Sequence, residues 1–187
     1  MPRNGNIRPR VISEEYCYSS RDVAKFINLL MVKGKKRTAE RITYSAIETL
    51  EKYIKEKEFH LDSDSFASLF PLAENQKTSL GCVGFFQALA NVAPFFEVRA
   101  RRVGGATYSI PVELSLEARR SMAMRTLIRS ARKRVSEEMQ TRLARELFDA
   151  LNGRGEAFKK KEEIHKVARA NQAFLYFRWR NQVRKSV

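Results

Sequence analysis

The sequence predicts a mainly α-helical protein, with a bundle-like body of six helices and a two-stranded antiparallel β-hairpin that protrudes between the third and fourth helices. Apolar residues recur at i, i+3, i+4 and i+7 along most of the chain, which is the period of an amphipathic helix. Around Gly104 and Gly105 that period gives way to alternation, which is the period of a strand. A hydrophobic content of 43% in 187 residues provides a core for a single domain over 1–187.

The first three helices precede the hairpin. Ser19 or Ser20 is placed to cap the first helix, and Gly34 is expected to end it. Thr38 is expected to open the second, and the third is predicted over about 81–92.

The segment 78–96 around the third helix has no charged residue and is long enough to span a bilayer. It nevertheless contains Gln87, Asn91 and Pro94, and its apolar residues keep helical spacing. These features favour a buried core helix followed by a turn over a membrane span.

The hairpin arm is predicted over 95–114. Two alternating runs flank the pair Gly104-Gly105, and such a pair between two strands is a strong hairpin signal because tight hairpin turns need positive φ angles. We therefore expect a positive φ at Gly105.

Helices resume at Ser115 after the hairpin. The fourth helix is predicted over about 115–132, and the fifth begins at Ser136 and stops at Asn152-Gly153. The sixth is predicted over about 160–174. Its apolar face is expected to hold Ile164, Val167, Ala168 and Asn171. The fourth helix has a basic side, formed by Arg125, Arg129 and Arg132.

Positive charge is concentrated in four parts of the chain, and the net charge is +15. They are residues 1–12 of the N-terminal arm 1–18, the first interhelical loop at 33–41, and the segments 97–134 and 154–187. Each of the last two segments has ten basic and three acidic residues. A compact chain with this excess repels itself, so an acidic partner is expected, with nucleic acid ahead of an anionic membrane surface.

The hairpin has three arginines on its first strand. Strand alternation places Arg99 and Arg101 on one side and Arg102 on the other. Because guanidinium groups bind phosphates and stack on bases, we expect this arm to reach into folded nucleic acid. The alternative is a hairpin that lies on the helical body with its arginines in solvent.

Residues 58–83 are the acidic exception, with four carboxylates against the single Lys77. This acidic insertion is expected to be a surface excursion turned away from a polyanion.

The C-terminal stretch after Asn171 mixes aromatic residues with arginines, a pattern that fits either base stacking or packing. Packing is favoured for Phe174 and Phe177, and Trp179 fits both.

Metal and catalytic sites find no support in the sequence. The two cysteines and two histidines have no metal-ligand spacing, and reduced thiols are expected. No nucleophile elbow, zinc-protease motif or phosphate loop is present. The N-terminus lacks the apolar region of a signal peptide. We therefore predict no enzyme activity, no metal and no cofactor.

Four stretches, in chain order, resemble the small-subunit ribosomal protein seven family of bacterial or organellar type. They are GKKRTAERITYSA at 34–46, EVRARRVGGATYSIPVE at 97–113, AMRTLIRSARKR at 123–134 and AFKKKEEIHKVARANQAFLYFRW at 157–179. The resemblance covers nearly the whole chain and implies the same helical body with a β-ribbon between the third and fourth helices.

The resemblance also implies a function, that of a structural constituent of the small ribosomal subunit. Members of this family bind the 3′ major domain of 16S-type rRNA, nucleate assembly of the subunit head, and lie near the exit-site tRNA and the mRNA exit path. They contact neighbouring head and platform proteins. For this chain we accordingly expect a cytoplasmic bacterial or an organellar ribosome, no membrane contact and no homo-oligomer.

By position, the resemblance implies RNA-binding side chains in five basic segments. They are Arg3, Arg8, Arg10, Lys33, Lys35, Lys36, Arg37, Arg99, Arg101, Arg102, Arg119, Arg120, Lys159 and Lys160. On the tRNA and mRNA side we place the hairpin tip and the terminal segment, namely Val103, Gly104, Gly105, Arg178, Trp179 and Arg180.

The chain departs from the family pattern in three places. The acidic insertion 58–83 is longer than the usual connection, the basic tail 180–187 extends beyond the usual end, and Asn4 and Gly5 stand where further basic residues are common.

An alternative function is that of an architectural DNA-binding protein, because a helical body with a basic β-arm also suits a DNA groove. Such a protein would need to dimerise to place two arms.

Overall fold

The structure, a computed structural model, describes residues 12–59, 68–70, 79–135 and 137–179. The first three helices are α1 (Arg21–Leu30), α2 (Lys36–Glu56) and α3 (Leu80–Val92), followed by strands β1 (Phe96–Val103) and β2 (Ala106–Glu113). Three helices follow, α4 (Leu116–Lys133), α5 (Met139–Leu151) and α6 (Gly155–Ala170). The described chain ends with a 3₁₀ turn (Gln172–Leu175) and the four-residue α7 (Tyr176–Trp179). The predicted fold class is confirmed, with the hairpin between the third and fourth helices.

Helix α3 lies at the centre of the core. Nine of its thirteen residues are buried, and α2, α4 and α5 pack around it. The ring of Phe85 meets that of Phe26 edge to face at 5.1 Å. The predicted core helix is confirmed, and among the described helices none is both long and apolar enough to cross a membrane.

The approach of α3 to α2 depends on Gly81. A β-carbon at this position would lie 2.7 Å from the carbonyl oxygen of Ile47 and 3.1 Å from Cβ of Glu51. Since Cβ atoms do not approach backbone oxygens this closely, only glycine fits without moving one helix. Nearby on α3, Cys82 is buried and free, and burial raises the pKa of its thiol to about 12.

The helix ends follow local chemistry, with differences from the predicted bounds. Ser115 caps α4 by accepting a hydrogen bond from the N–H of Ala118 at 3.4 Å. Ser20 stands at the N-cap of α1, but its side chain makes no capping hydrogen bond. Helix α1 ends at Leu30, before the predicted stop, and Gly34 instead takes φ +74° in the following turn.

The bounds predicted for the sixth helix are wrong at both ends. Helix α6 begins at Gly155, because a φ of +91° there redirects the chain directly after α5. It ends at Ala170, where the side-chain amide of Asn171 donates to the carbonyl of Val167 at 2.8 Å. The predicted apolar face is also wrong in part, since Val167 is exposed and the buried residues of α6 are Ala157 and Ala168.

Only parts of the predicted acidic insertion 58–83 lie within the described residues. Leu69 and Phe70 are buried in the core, and residues 80–83 belong to α3. These parts are therefore not a surface excursion, because apolar side chains within the insertion pack into the body. The rest of the insertion lies outside the described residues.

A buried carboxylate joins α5 to its neighbours on both sides. The side chain of Glu146 is fully buried and lies 2.6 Å from a guanidinium nitrogen of Arg134, which follows α4. Its second oxygen accepts the N–H of Ala157 in α6 at 2.8 Å. Arg134 also pairs with Asp149. Burial lowers the pKa of Arg134, but hydrogen bonds to Asp149 and Glu146 outweigh it, so the pKa lies above its ordinary value.

The terminal segment packs against the hairpin. The ring of Tyr108 on β2 stacks on Phe177 at 5.0 Å between centroids and lies 5.2 Å from Phe174. The predicted packing role of Phe174 and Phe177 is therefore confirmed. The side chain of Trp179 lies outside the described part of the chain.

Candidate nucleic-acid interface

The hairpin divides into a packed base and an exposed tip. Strands β1 and β2 pair in register from Phe96 opposite Glu113 to Val103 opposite Ala106. Gly104 and Gly105 form the two-residue turn with φ of +60° and +92°, so the predicted positive φ is confirmed. Near the base, Ile110 is buried.

The three arginines of β1 are exposed, but only one is paired. Arg99 lies 3.0 Å from the carboxylate of Glu97, two residues away on the same face. Arg101 stands opposite Tyr108 and Arg102 opposite Thr107, so their side chains lie on opposite faces of the ribbon. Neither has an ion-pair partner among the described residues. Two guanidinium groups are thus available to phosphates on both faces of the tip.

The loop before α2 carries a second group of cations. Lys33, at a positive φ of 52°, is exposed together with Lys35, Lys36 and Arg37. Lys36 pairs with Glu40 at 3.6 Å one helical turn further on. Within the described chain, the other three have no carboxylate partner.

The outer face of α4 adjoins this loop. Arg132 donates a hydrogen bond to the carbonyl of Leu30, at the end of α1, at 3.0 Å. A groove of 360 Å³ runs along the contact and is lined by Leu29, Arg125, Ile128, Arg129, Arg132 and Lys133. We call the combined set the α1–α4 basic surface; its cations are Lys33, Lys35, Lys36, Arg37, Arg125, Arg129, Arg132 and Lys133. Four of these cations were not among the predicted site residues, although the sequence showed the helical spacing of the three arginines; they are Arg125, Arg129, Arg132 and Lys133.

Two predicted RNA contacts on α4 are turned inward. The guanidinium of Arg119 stacks on the ring of Phe95 at 4.1 Å, its Nε is buried without a hydrogen-bond partner in the described chain, and burial lowers its pKa. Arg120 donates to the carbonyl of Leu69 and pairs with Asp22 at 3.6 Å. The structure places both guanidinium groups in internal contacts.

The predicted lysines of α6 are exposed. Lys160 pairs with Glu163 at 2.8 Å, whereas Lys159 has no such partner in the described chain. The next residue, Lys161, points inward and donates to the carbonyl of Asn91 at 2.6 Å. Burial lowers the pKa of Lys161.

The remaining predicted contacts lie at the chain ends. Arg3, Arg8, Arg10 and Arg180 fall outside the described residues. The backbone of Arg178 and Trp179 belongs to α7, but their side chains are not described. Across the described ranges, no group of three or more histidine, cysteine or acidic side chains is arranged to hold a metal ion.

Comparison with known proteins identifies the family. The family model described as "Ribosomal protein S7p/S5e" matches residues 2–172. This chain belongs to the ribosomal protein S7p/S5e family. The resemblance drawn from the sequence motifs is therefore confirmed, and the family is one of ribosomal proteins.

Bacterial relatives match over nearly their full length. The chain is 43% identical over 180 residues to "Small ribosomal subunit protein uS7" of Blochmanniella pennsylvanica, covering 96% of this chain and 100% of that protein. The protein of the same name from Buchnera aphidicola subsp. Cinara cedri is also 43% identical, over 179 residues with the same coverage. That of Legionella pneumophila strain Corby is 42% identical over 184 residues, which covers 96% of this chain and 99% of the relative.

Proposed function

We propose that this protein is a structural constituent of the small ribosomal subunit that binds the 3′ major domain of 16S-type rRNA directly and nucleates assembly of the subunit head. The observation that carries the proposal is a set of exposed cations without carboxylate partners among the described residues. They are Arg101 and Arg102 on the hairpin tip and Lys33, Lys35, Arg37, Arg125 and Arg129 on the α1–α4 basic surface.

Both surfaces suit RNA because each presents exposed cations close together. Each cation that meets a phosphate releases condensed counterions, so affinity depends steeply on salt. The hairpin tip presents one guanidinium on each face and can therefore contact two backbones at once. The predicted contacts Arg99, Lys36, Lys159, Lys160 and Arg119 belong to the proposal, with Arg119 acting through the position of Phe95. Arg120 is assigned instead to the contact between α4 and α1.

The family resemblance also suggests which parts of this protein face other components of the ribosome. The turn at Val103, Gly104 and Gly105, with the segment 178–180, is proposed to face the exit-site tRNA and the mRNA exit path. Neighbouring head and platform proteins are the other proposed partners. We propose a monomer without a catalytic role that works on a ribosome in the bacterial cytoplasm or on an organellar ribosome. The match to three bacterial proteins supports the bacterial setting.

The experiment measures binding of the intact protein to a 3′ major domain rRNA fragment across a series of salt concentrations. The double variant Arg101→Ala/Arg102→Ala should bind more weakly and should reduce the slope of log K against log salt by about 1.5, the value for two lost phosphate contacts. Circular dichroism should remain unchanged, because neither side chain packs on the body.

A matched control separates position from net charge. Arg21→Ala/Arg145→Ala removes the same two charges from exposed arginines that pair with Glu14 and Glu137. This control should keep a wild-type slope. If both double variants lose the same affinity, the net charge and not the hairpin accounts for binding, and the assignment of the tip is wrong.

The DNA-binding alternative makes a different prediction. An architectural DNA-binding protein should bind duplex DNA as tightly as the rRNA fragment and should sediment as a dimer. We expect much tighter binding to the rRNA fragment at moderate salt and a monomer in sedimentation. Equal affinity for DNA and RNA of the same length would contradict the proposed function.

A further inference from the structure

A cavity of 390 Å³ lies between the base of the hairpin and α6. Its walls are Phe95, Phe96, Pro111, Ala168 and Leu175. Its volume falls within the range of about 300–1,000 Å³ typical of small-ligand pockets. Phe95 is 51% exposed and Phe96 39% exposed, so two large aromatic rings stand beside the opening. We call this space the hairpin–α6 cavity.

The polar side chains that line the hairpin–α6 cavity are those of His165, Gln172, Lys161 and Arg169. The Nε2 of His165 accepts a hydrogen bond from the backbone N–H of Phe95 at 3.0 Å. Accepting at Nε2 requires a neutral ring, and in that tautomer Nδ1 carries the hydrogen. Within the described chain no residue accepts a hydrogen bond from Nδ1, so His165 has a spare donor. Gln172 adds an exposed amide with both a donor and an acceptor.

The charge of the cavity lining has a single sign. Arg169 is exposed and has no ion-pair partner in the described part of the chain, and Lys161 is the other cation. Among the residues that the structure describes, no carboxylate lines the cavity. Arg119 lies over one face of the Phe95 ring in a cation–π contact, at 4.1 Å from the ring centroid. The occupant should therefore be flat, apolar on its faces, polar along one edge and attached to an anion.

An unstacked nucleobase with its phosphate has this chemistry. We propose that the hairpin–α6 cavity binds one nucleobase of single-stranded RNA, stacked on the exposed ring of Phe96, with its edge on His165 and Gln172 and its phosphate on Arg169. Proteins that read single-stranded RNA stack splayed bases on aromatic rings and hydrogen-bond their edges in this way. The inference deepens the proposed RNA-binding function and rests on it. The competing occupant is an acidic peptide with an aromatic anchor.

The test uses the intact protein and two probes, a single-stranded oligouridylate and an abasic ribose-phosphate chain of the same length. Wild-type protein should bind the base-bearing probe about ten-fold more tightly than the abasic chain, since base–aromatic stacking at one site has this magnitude. Phe96→Ala should remove most of that ratio without changing the salt dependence. Gln172→Ala, on the exposed 3₁₀ turn, tests the edge contact with little effect on folding. Leu116→Ala is the control, because Leu116 is a large exposed apolar residue that does not line the cavity.

Histidine NMR gives a direct readout, because His60 and His165 are the only histidines in the chain. The imidazole signals of His165, assigned with His165→Gln, should shift when oligouridylate binds and stay fixed with the abasic chain. The inference is wrong if Phe96→Ala and Gln172→Ala both keep the wild-type ratio. It is also wrong if an acidic phenylalanine-containing peptide shifts the His165 signals while oligouridylate does not. In either case, unchanged salt-dependent binding of the rRNA fragment would leave the proposed function standing.

Discussion

Removal of the carboxylate of Glu146 should destabilise the protein more than removal of any exposed acid. In Glu146→Ala, the N–H of Ala157 would remain buried without its acceptor, which costs about 1–3 kcal/mol. Arg134 would lose one of its two carboxylates. Because its side chain is 30% exposed and keeps Asp149, this loss adds about 1 kcal/mol, well below the value for a fully buried broken pair. We expect the free energy of unfolding to fall by about 3 kcal/mol.

Urea unfolding followed by far-ultraviolet circular dichroism measures this change, and the slope with denaturant should stay constant. In thermal unfolding the same loss lowers Tm by about 6–12 °C for a chain of this size. The control is Glu163→Ala on α6, which breaks a 2.8 Å pair whose carboxylate is 62% exposed and should change stability by no more than about 0.5 kcal/mol. If the two variants unfold within about 1 kcal/mol of each other, the buried network does not join α4, α5 and α6 as described.

Three further perturbations test other parts of the structure. Gly81→Ala should lower the free energy of unfolding by about 1–3 kcal/mol in denaturant titration, because overpacking against Ile47 outweighs the helix propensity of alanine; a gain in stability would show that α2 and α3 are less close. Gly105→Val should speed hydrogen exchange in β1 and β2 while Tm stays near the wild-type value, since φ +92° strains only the turn, and a large fall in Tm would assign the hairpin a role in the core. Burial and then the cations Lys161, Arg169 and Arg119 lower the pKa of His165, so the unfolded chain binds more protons at acidic pH. The stability that the neutral His165 side chain contributes is therefore complete above about pH 6.5 and is lost as the pH falls below that value. His165→Gln should lose less stability than the wild-type protein between about pH 7 and 5. Parallel profiles of unfolding free energy against pH for the two proteins would refute this role of His165.

Features encoded in neighbouring residues could be predicted from the sequence. The hairpin depends on alternation and on two adjacent glycines, and the structure places both at positive φ. The burial of α3 follows from an uncharged run with helical spacing. In each case the local conformational preference and the tertiary environment favour the same structure, so a pattern within one segment is sufficient.

The bounds of α6 could not be predicted in this way. Its start depends on Gly155 and on the carboxylate of Glu146 from another helix, which accepts the N–H of Ala157. Its end depends on a side-chain hydrogen bond from Asn171, a residue that the periodic pattern had included in the helix. Contacts between helices and local capping overrode the apolar spacing on which the prediction relied.

For the candidate site, the sequence located the positive charge but not its orientation. Arg101 and Arg119 are the same residue type, yet one is exposed on the hairpin tip and the other stacks on Phe95. Helical spacing gave a signal for the difference, because Arg119 precedes the buried Ala123 and Leu127 at intervals of four. Glu146 likewise lies on the buried stripe of α5 between Leu143 and Ala150. A charged residue on an apolar stripe is thus a candidate for an internal role.

The packing of Tyr108 against Phe174 and Phe177 affects the order in which the chain can fold during its own synthesis. The two strands leave the translating ribosome first, and the aromatic residues that cover β2 follow more than sixty positions later. At typical elongation rates this delay lasts several seconds. The helices around α3 can pack during that interval, whereas β2 gains its aromatic cover only when the last residues emerge. A nascent chain truncated before Phe174 should therefore have a folded helical body and a hairpin in which β2 is poorly ordered.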